Sequence, residues 1–232
     1  MLSELEKNKD VRRSILASIR GQLDASKPFD LIRAEHHSNI DLNGSDVAPL
    51  VYTADAVERF RESLQAVGGV CIVVRDEAEA ALAVQQIIAG LKVVAVSDST
   101  LAGRIVASVS SPAQFLYKAD AGEMFNCDAG ITSAQWAVAE TGTLVLESEK
   151  ERHRFASLVP PIHVALISGK RVVHTLGEVL NEIAMGGRDD MSRTITFITG
   201  PSRTSDIELT LAIGVHGPAQ LFVIIIEEAG SD

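Results

Sequence analysis

The chain has 232 residues, of which 46% are hydrophobic, 22% charged and 4% aromatic, which suits a folded core and excludes a disordered chain. Lys and Arg total 21 against 31 Asp and Glu, and this net charge of −10 excludes nucleic acid as an expected partner. The aliphatic run at residues 221–226 is far shorter than the roughly 20 apolar residues that cross a bilayer, so no membrane span is expected. The N-terminus is charged throughout and lacks the apolar stretch of a secretory signal, which predicts a cytoplasmic protein.

The cysteine content limits the cofactors that the chain can hold. Cys71 and Cys127 are the two cysteines, and neither belongs to a CxxC motif or a Cys/His cluster. A disulfide framework and a zinc site are therefore not expected. An iron–sulfur cluster usually needs four thiolates, so the chain cannot hold one alone in the ordinary way. The sequence predicts no intrinsic cofactor and no intrinsic metal.

Residues 1–53 are predicted to form an N-terminal helical arm and linker. Val11, Ile15, Ile19 and Leu23 recur every four residues, which places them along one stripe of a helix. Residues 27–51 contain Pro, Asn and Gly at positions that interrupt any regular period. The stripe agrees with a homo-oligomer, with a docked partner, or with a helix packed on its own domain, and the sequence leaves these open.

Residues 54–232 are predicted to form one α/β domain with a mostly parallel sheet flanked by helices. Short β-branched runs alternate with helical stretches, as in buried parallel strands. The expected helices cover residues 54–67, 77–89, 99–109 and 176–185, with another short helix within 131–138. The expected strands cover residues 70–74, 93–97, 115–117, 143–147, 163–168, 194–200 and 220–226.

The first segment that could carry chemistry contains Glu140, Thr141, Gly142 and Thr143, which precede a predicted buried strand. A carboxylate on such a turn has small neighbours that let a ligand approach the backbone. Glu140 is therefore a candidate catalytic residue, and the three residues after it are candidate substrate contacts. The alternative is a glutamate that caps a helix or belongs to an ordinary loop.

The second segment runs from Arg152 to His163. Pro160 and Pro161 fix an extended turn that leads into a predicted strand, and His163 opens that strand. A histidine in this place is either catalytic or a structural residue of the core. The Arg residues at 152 and 154 either bind an anion or are solvated.

The third segment begins where a predicted strand runs into Gly200, Ser202, Arg203 and Thr204. Small residues and hydroxyls expose backbone N–H groups, and a guanidinium can bind a carboxylate or phosphate in bidentate fashion. These residues are candidate anion contacts. The spacing is neither that of Walker A nor that of GxGxxG, so it predicts no nucleotide motif.

The same segment continues through Asp206 and Glu208, which are predicted to lie in a helical turn. Asp206 is a further candidate contact, but both carboxylates could instead cap the helix and pair with Arg203. His216 lies between two glycines, which gives it open access and makes it a third candidate catalytic residue. A GxSxG elbow and a Ser-His-Asp order are absent, so serine-based acyl transfer is not supported.

With these segments, the sequence resembles the lactate utilization protein C family, the LUD-domain proteins. The resemblance rests on GITSAQWAVAETGTLVLES at 130–148, SLVPPIHVALI at 157–167 and FITGPSRTSDIELTLAIGVHGPAQLFVIII at 197–226. These segments cover about the C-terminal half, and their ordered combination is specific. The N-terminal half matches by arrangement and length more than by any motif.

The resemblance implies an α/β fold similar to the ribose-phosphate isomerase and coenzyme A transferase superfamily. It also implies bacterial oxidation of L-lactate to pyruvate in a three-component system whose partner subunits carry iron–sulfur clusters. In that superfamily, transferases use a glutamate near a glycine as nucleophile, and Glu140 is the most similar position. Ser202, Arg203 and Thr204 would hold a small anionic metabolite.

Three functions remain open at this point. The first is a non-cluster subunit of a lactate-oxidising complex, in which a cleft of the three segments binds a small anion or a partner's loop. The second is a stand-alone enzyme on a small phosphorylated or acyl substrate, with Glu140 as base or nucleophile and Arg203 as anion clamp. The third is a non-catalytic interaction domain. Whether the chain is an enzyme by itself is left undecided.

Overall fold

The computed structural model describes residues 17, 54–150, 154–185, 192–205, 211–214 and 216–227. The predicted arm and linker at residues 1–53 therefore lie outside the described residues, apart from residue 17. No helix in the described part of the chain is long and apolar enough to cross a membrane.

Twelve strands and five helices make up the described fold. The strands are β1 (Val70–Val74), β2 (Val93–Val96), β3 (Gln114–Leu116), β4 (Ala129–Ser133), β5 (Trp136–Val138), β6 (Thr143–Glu147), β7 (Ile162–Ser168), β8 (Val172–Val173), β9 (Ile195–Ile198), β10 (Arg203–Ser205), β11 (Leu211–Ile213) and β12 (Gln220–Ile226). The helices are α1 (Ala54–Ala66), α2 (Glu77–Ile87), α3 (Thr100–Ala107), α4 (Ala121–Met124) and α5 (Leu176–Met185). Two short 3-10 helices lie at Arg154–Ser157 and Gly169–Arg171.

Six strands form a parallel sheet in the order β1-β12-β7-β4-β2-β3. Helices α2 and α3 cover one face, where they pack against side chains such as Leu166 and Ile224. Helix α1 and a second sheet cover the other face, where they pack against Ile167 and Ile225. Covering a parallel sheet on both faces accounts for the continuous aliphatic runs of its central strands. The predicted α/β fold with a mostly parallel sheet is confirmed.

Side-chain caps fix where two of the predicted helices begin. The Asp76 carboxylate accepts a hydrogen bond from the backbone N of Glu79, and the Ser99 hydroxyl accepts one from Ala102. Each cap satisfies a backbone N–H that the first helical turn leaves without a partner. These caps place the starts of α2 and α3 directly after strands β1 and β2.

A second sheet of four strands, in the order β8-β5-β6-β9, lies on the face of the first sheet that α1 also covers. Strands β5 and β6 form an antiparallel hairpin, β9 pairs antiparallel with β6, and β8 pairs parallel with β5. The sequence pattern did not separate these strands from the parallel sheet.

The short helix predicted within residues 131–138 is wrong, because residues 131–133 belong to strand β4 and residues 136–138 to strand β5. Strand β4 lies between β2 and β7, and all five of its residues are buried. Its β-branched Ile131 and Thr132 suit a pleated, fully covered strand. Pairing with two neighbouring strands therefore overrides the helical spacing of the apolar residues.

Strands β10 and β11 form a separate antiparallel pair. The chain between them contains Asp206 and Glu208, so the predicted helical turn lies outside the described residues. Arg203 and Thr204 belong to β10, where a loop after the preceding strand was expected.

Candidate functional site

A cavity of about 240 Å³ lies between the amino ends of β7 and β12 and strand β9. It is lined by Ser157, Leu158, His163, Thr196, Phe197, Ile198, Thr199, Gly200, Ser202, His216, Gly217, Pro218 and Leu221. Open α/β sheets usually bind ligands beyond the carboxyl ends of their strands. This cavity lies at the opposite end of the parallel strands, where two segments of predicted site residues meet.

His163 belongs to the cavity lining and is fully buried. Its Nε2 shares a hydrogen bond of 2.8 Å with the hydroxyl of Thr132, which is also fully buried, on β4. Its Nδ1 is buried and has no hydrogen-bond partner. Burial lowers the pKa of the His163 ring to about 3, because an imidazolium would lose its hydration. The ring is therefore neutral at physiological pH.

Gly130 allows the first 3-10 helix to pack directly against the parallel sheet beside His163. The two residues are register partners on β4 and β7. A Cβ at Gly130 would lie 1.8 Å from the carbonyl oxygen of Ala156 in the first 3-10 helix. Only glycine lets this helix approach so closely, and the helix carries Ser157 to the cavity.

Gly200, Ser202 and His216 reach the same cavity from the predicted third segment. The backbone N of Ser202 donates to the carbonyl oxygen of Pro218, which ties the segment to the start of β12. His216 is exposed, whereas His163 is enclosed. Of the three predicted catalytic residues, the structure therefore brings His163 and His216 to the same cavity, with His163 at its base and His216 at its open side.

Arg203 does not line the cavity. Its Nη2 donates a hydrogen bond of 2.5 Å to the carbonyl oxygen of Val67, just beyond the end of α1. A guanidinium at the carboxyl end of a helix satisfies a free carbonyl and interacts favourably with the helix dipole. Arg203 therefore holds the β9–β10 connection against α1, and its role as an anion clamp stays a prediction.

Glu140 also lies outside the cavity lining. It is exposed on the turn between β5 and β6, and its carboxylate accepts a hydrogen bond of 2.8 Å from the backbone N of Leu176. Leu176 is the first residue of α5, so the carboxylate occupies a helix amino terminus, where negative charge is favoured. This contact matches the capping alternative, and a catalytic role for Glu140 stays a prediction.

A chain of three hydroxyls connects the turn after Glu140 with the cavity. Thr141 and Thr143 share a hydrogen bond of 2.7 Å between their Oγ1 atoms, and Thr143 shares another of 2.7 Å with Thr199. Thr199 lines the cavity, while Thr143 is buried. The predicted contact residue Thr143 thus positions a hydroxyl of the lining.

Several lining residues were missed by the sequence analysis. Ser157, Thr196 and Thr199 contribute hydroxyl-bearing side chains to the lining, and Thr132 supports His163 from behind. The available signals were the threonines within and just after β9 and the two hydroxyl-bearing residues at the end of β4. Of the other predicted contacts, Thr204 belongs to β10 and Asp206 lies outside the described residues.

The cavity can bind a small polar molecule through hydroxyls and imidazoles. The described part of its lining contains no carboxylate, Lys or Arg side chain. Groups of three or more His, Cys, Asp or Glu side chains that could hold a metal ion are absent from the described residues. The expectation of no intrinsic cofactor stays a prediction.

A family model described as the LUD domain matches residues 57–226. An uncharacterized protein of Neisseria meningitidis serogroup B is 42% identical over 106 residues, which are 44% of this chain and 43% of that protein. The lactate utilization protein C of Halalkalibacterium halodurans is 37% identical over 103 residues, 44% of this chain and 45% of its own length. The lactate utilization protein C of Deinococcus radiodurans is 37% identical over 105 residues, which are 45% of this chain and 49% of its own length. The chain spans less than half the length of these curated relatives.

The structure is similar to a crystal structure of a DUF162 family protein from Deinococcus radiodurans, determined at 1.70 Å resolution. The TM-score is 0.58 at 22% sequence identity, and the match covers 75% of this chain and 97% of the other. At this identity the likeness concerns the fold alone.

Proposed function

The chain belongs to the LUD domain family, and we propose that it acts in bacterial utilization of L-lactate as a subunit without clusters. The observation that carries this proposal is the sequence similarity to proteins named lactate utilization protein C, at 37% identity in two organisms. The reaction it serves is the oxidation of L-lactate to pyruvate in the cytoplasm. Its cavity holds a small anionic metabolite of that reaction.

The iron–sulfur clusters of such a system would belong to partner subunits. The chain carries two cysteines, against the four thiolates that a cluster usually takes. Burial also raises the pKa of both thiols, which disfavours the thiolate form that binds metals. These observations support the assignment of the clusters, and of the electron transfer through them, to the partner subunits.

The stand-alone enzyme is less well supported. Glu140 and Arg203, its proposed base and clamp, each bind a backbone group of a helix end, and neither lines the described cavity. A non-catalytic interaction domain agrees with the same contacts. Assays of the purified protein with sugar phosphates and acyl-coenzyme A esters separate these two alternatives, because an enzyme should show turnover that is lost in Glu140→Gln and Arg203→Ala and an interaction domain should show none.

Deletion of the gene in its native host tests the proposed function. We expect no growth, or much slower growth, on L-lactate as sole carbon source, normal growth on glucose, and recovery with a plasmid copy. A pull-down from lactate-grown cells, with an iron assay of each recovered subunit, tests the partners. Unimpaired growth on L-lactate would contradict the proposal.

A further inference from the structure

We propose that the cavity binds a small hydroxy or oxo acid, with its uncharged hydroxyl or carbonyl oxygen against the ring of His163 and its carboxylate towards His216. The choice of an acid rests on the proposed function. The position of its uncharged oxygen rests on the hydrogen bonding and burial of His163.

One ring nitrogen of His163, Nδ1, is buried and has no hydrogen-bond partner. A buried nitrogen without a partner is costly, because folding removes its water and supplies nothing in return. The opposite nitrogen is already bonded to Thr132, so the ring is held in place by one hydrogen bond and left incomplete on the other side. His163 is one of the residues that line the cavity, and we assign a molecule bound there as the missing partner of Nδ1.

The surroundings of His163 favour an uncharged group of the ligand. Burial holds the His163 ring neutral, with its pKa lowered to about 3, and Thr132 is also uncharged. An anionic group placed against this ring would be buried without a counter-charge, which is strongly unfavourable. A neutral imidazole can instead exchange a hydrogen bond with a hydroxyl or a carbonyl oxygen.

The volume and the open side of the cavity suit a small acid. A water molecule takes up about 30 Å³ in the liquid, so about 240 Å³ suits a ligand of roughly six to ten non-hydrogen atoms. At the open side, exposed His216 and partly exposed Ser202 offer hydrogen bonds in contact with solvent. A carboxylate keeps part of its hydration there, which it would lose beside His163.

Three related acids serve as probes of the full-length protein. L-lactate carries a hydroxyl on its second carbon, pyruvate carries a carbonyl, and propionate carries neither oxygen. Calorimetry should show L-lactate or pyruvate binding roughly tenfold more tightly than propionate, which is the effect of one buried hydrogen bond. In ¹⁵N-histidine spectra, the ring signals of His163 should move with the tighter acid and remain in place with propionate.

Two amide variants separate the nitrogens of the His163 ring. The amide of His163→Asn lies near the position of Nδ1, whereas that of His163→Gln lies near Nε2 and can keep the bond to Thr132. His163→Asn should retain a preference for the oxygen-bearing acid over propionate. In His163→Gln the two affinities should become equal, because the interaction partner of the ligand oxygen is gone. His174→Gln, at an exposed histidine outside the cavity, should bind as the unchanged protein does.

Absence of binding by L-lactate and pyruvate at millimolar concentration would overturn the inference, as would an unchanged preference in His163→Gln. If neither amide variant folds, the comparison of the acids and the histidine spectra of the unchanged protein decide. The proposed function fails separately. If the deletion strain cannot use L-lactate but the purified protein binds neither acid, the proposed ligand is wrong and the proposed function stands. If the deletion strain grows normally on L-lactate but the protein binds one of the acids selectively, the proposed function is wrong and the ligand stands.

Discussion

Burial makes both cysteine thiols poor nucleophiles in the folded protein. It raises the pKa of Cys71 to about 12, and burial together with the neighbouring carboxylates of Asp128 and Glu123 raises the pKa of Cys127. Because the thiolate is the reactive form, we expect slow reaction with Ellman's reagent at pH 8 in native buffer. In urea both thiols should react within minutes, at the rate of free glutathione. Rapid reaction of either thiol in the folded protein would contradict this prediction.

A second prediction at the residue scale concerns Glu140, whose carboxylate accepts from the backbone N of Leu176. Removing such a cap typically costs about 0.5–1 kcal/mol, so Glu140→Ala should lower the free energy of unfolding by that amount. Glu140→Gln keeps an acceptor and should lose less. Urea unfolding measures both changes. A capping role also predicts that the Gln variant still supports growth on L-lactate, which a nucleophile would not allow.

Two glycine substitutions test how the elements meet. Gly142 has φ +66°, and a Cβ there would lie 2.4 Å from the backbone N of Leu64 in α1. Gly142→Ala should therefore cost about 2 kcal/mol or more, because neither the turn nor the helix backbone can yield cheaply. Gly103 within α3 has no atom within 4 Å of its Cβ position. Gly103→Ala is the matched control and should stabilise by about 0.5–1 kcal/mol in the same unfolding experiment.

At the element scale, the sequence predicts a strand well when the pattern of its own residues defines it, and poorly when its pairing partners define it. The bounds of β1, β6 and β12 follow directly from short aliphatic runs. In β6 and β12 the run reflects burial, whereas β1 is an edge strand whose Val70 and Val73 are exposed. The hairpin strand β5 has no such signature. Trp136 pairs with Val145, and Val138 pairs in parallel with Val173, 35 residues later, so its identity depends on partners that spacing does not reveal.

The candidate site divides in the same way. His163, Ser202 and His216 could be predicted, because turn residues and isolated histidines at strand ends are visible in the sequence. Thr132 could not, since its contact with His163 joins positions 31 residues apart and depends on the register of β4 with β7. Arg203 looked like an anion ligand from its neighbours, and only the packing of the turn against α1 reveals its bond to Val67.

At the scale of the whole molecule, His163 links the free energy of unfolding to pH. Its pKa is about 3 in the folded protein against 6.5 for the unperturbed ring. Above pH 6.5 the ring is neutral in the folded and the unfolded protein, so it does not reduce the free energy of unfolding. As the pH falls below 6.5, the unfolded chain takes up a proton that the folded chain refuses until about pH 3. Stability is therefore lost progressively across this window.

The size of this loss at pH 5 follows from the unfolded state, because the folded ring is still neutral there. One pKa unit corresponds to about 1.4 kcal/mol, so this group alone should make the protein about 2 kcal/mol less stable at pH 5 than at pH 7.5. Glu79 and Asp128 have pKa values lowered from 4.5 and 3.8, so their contributions are lost mainly below pH 5. Urea unfolding at both pH values measures the difference, with His163→Gln as the control, because an amide does not titrate. An equal pH dependence in the two proteins would show that His163 does not resist protonation in the folded state.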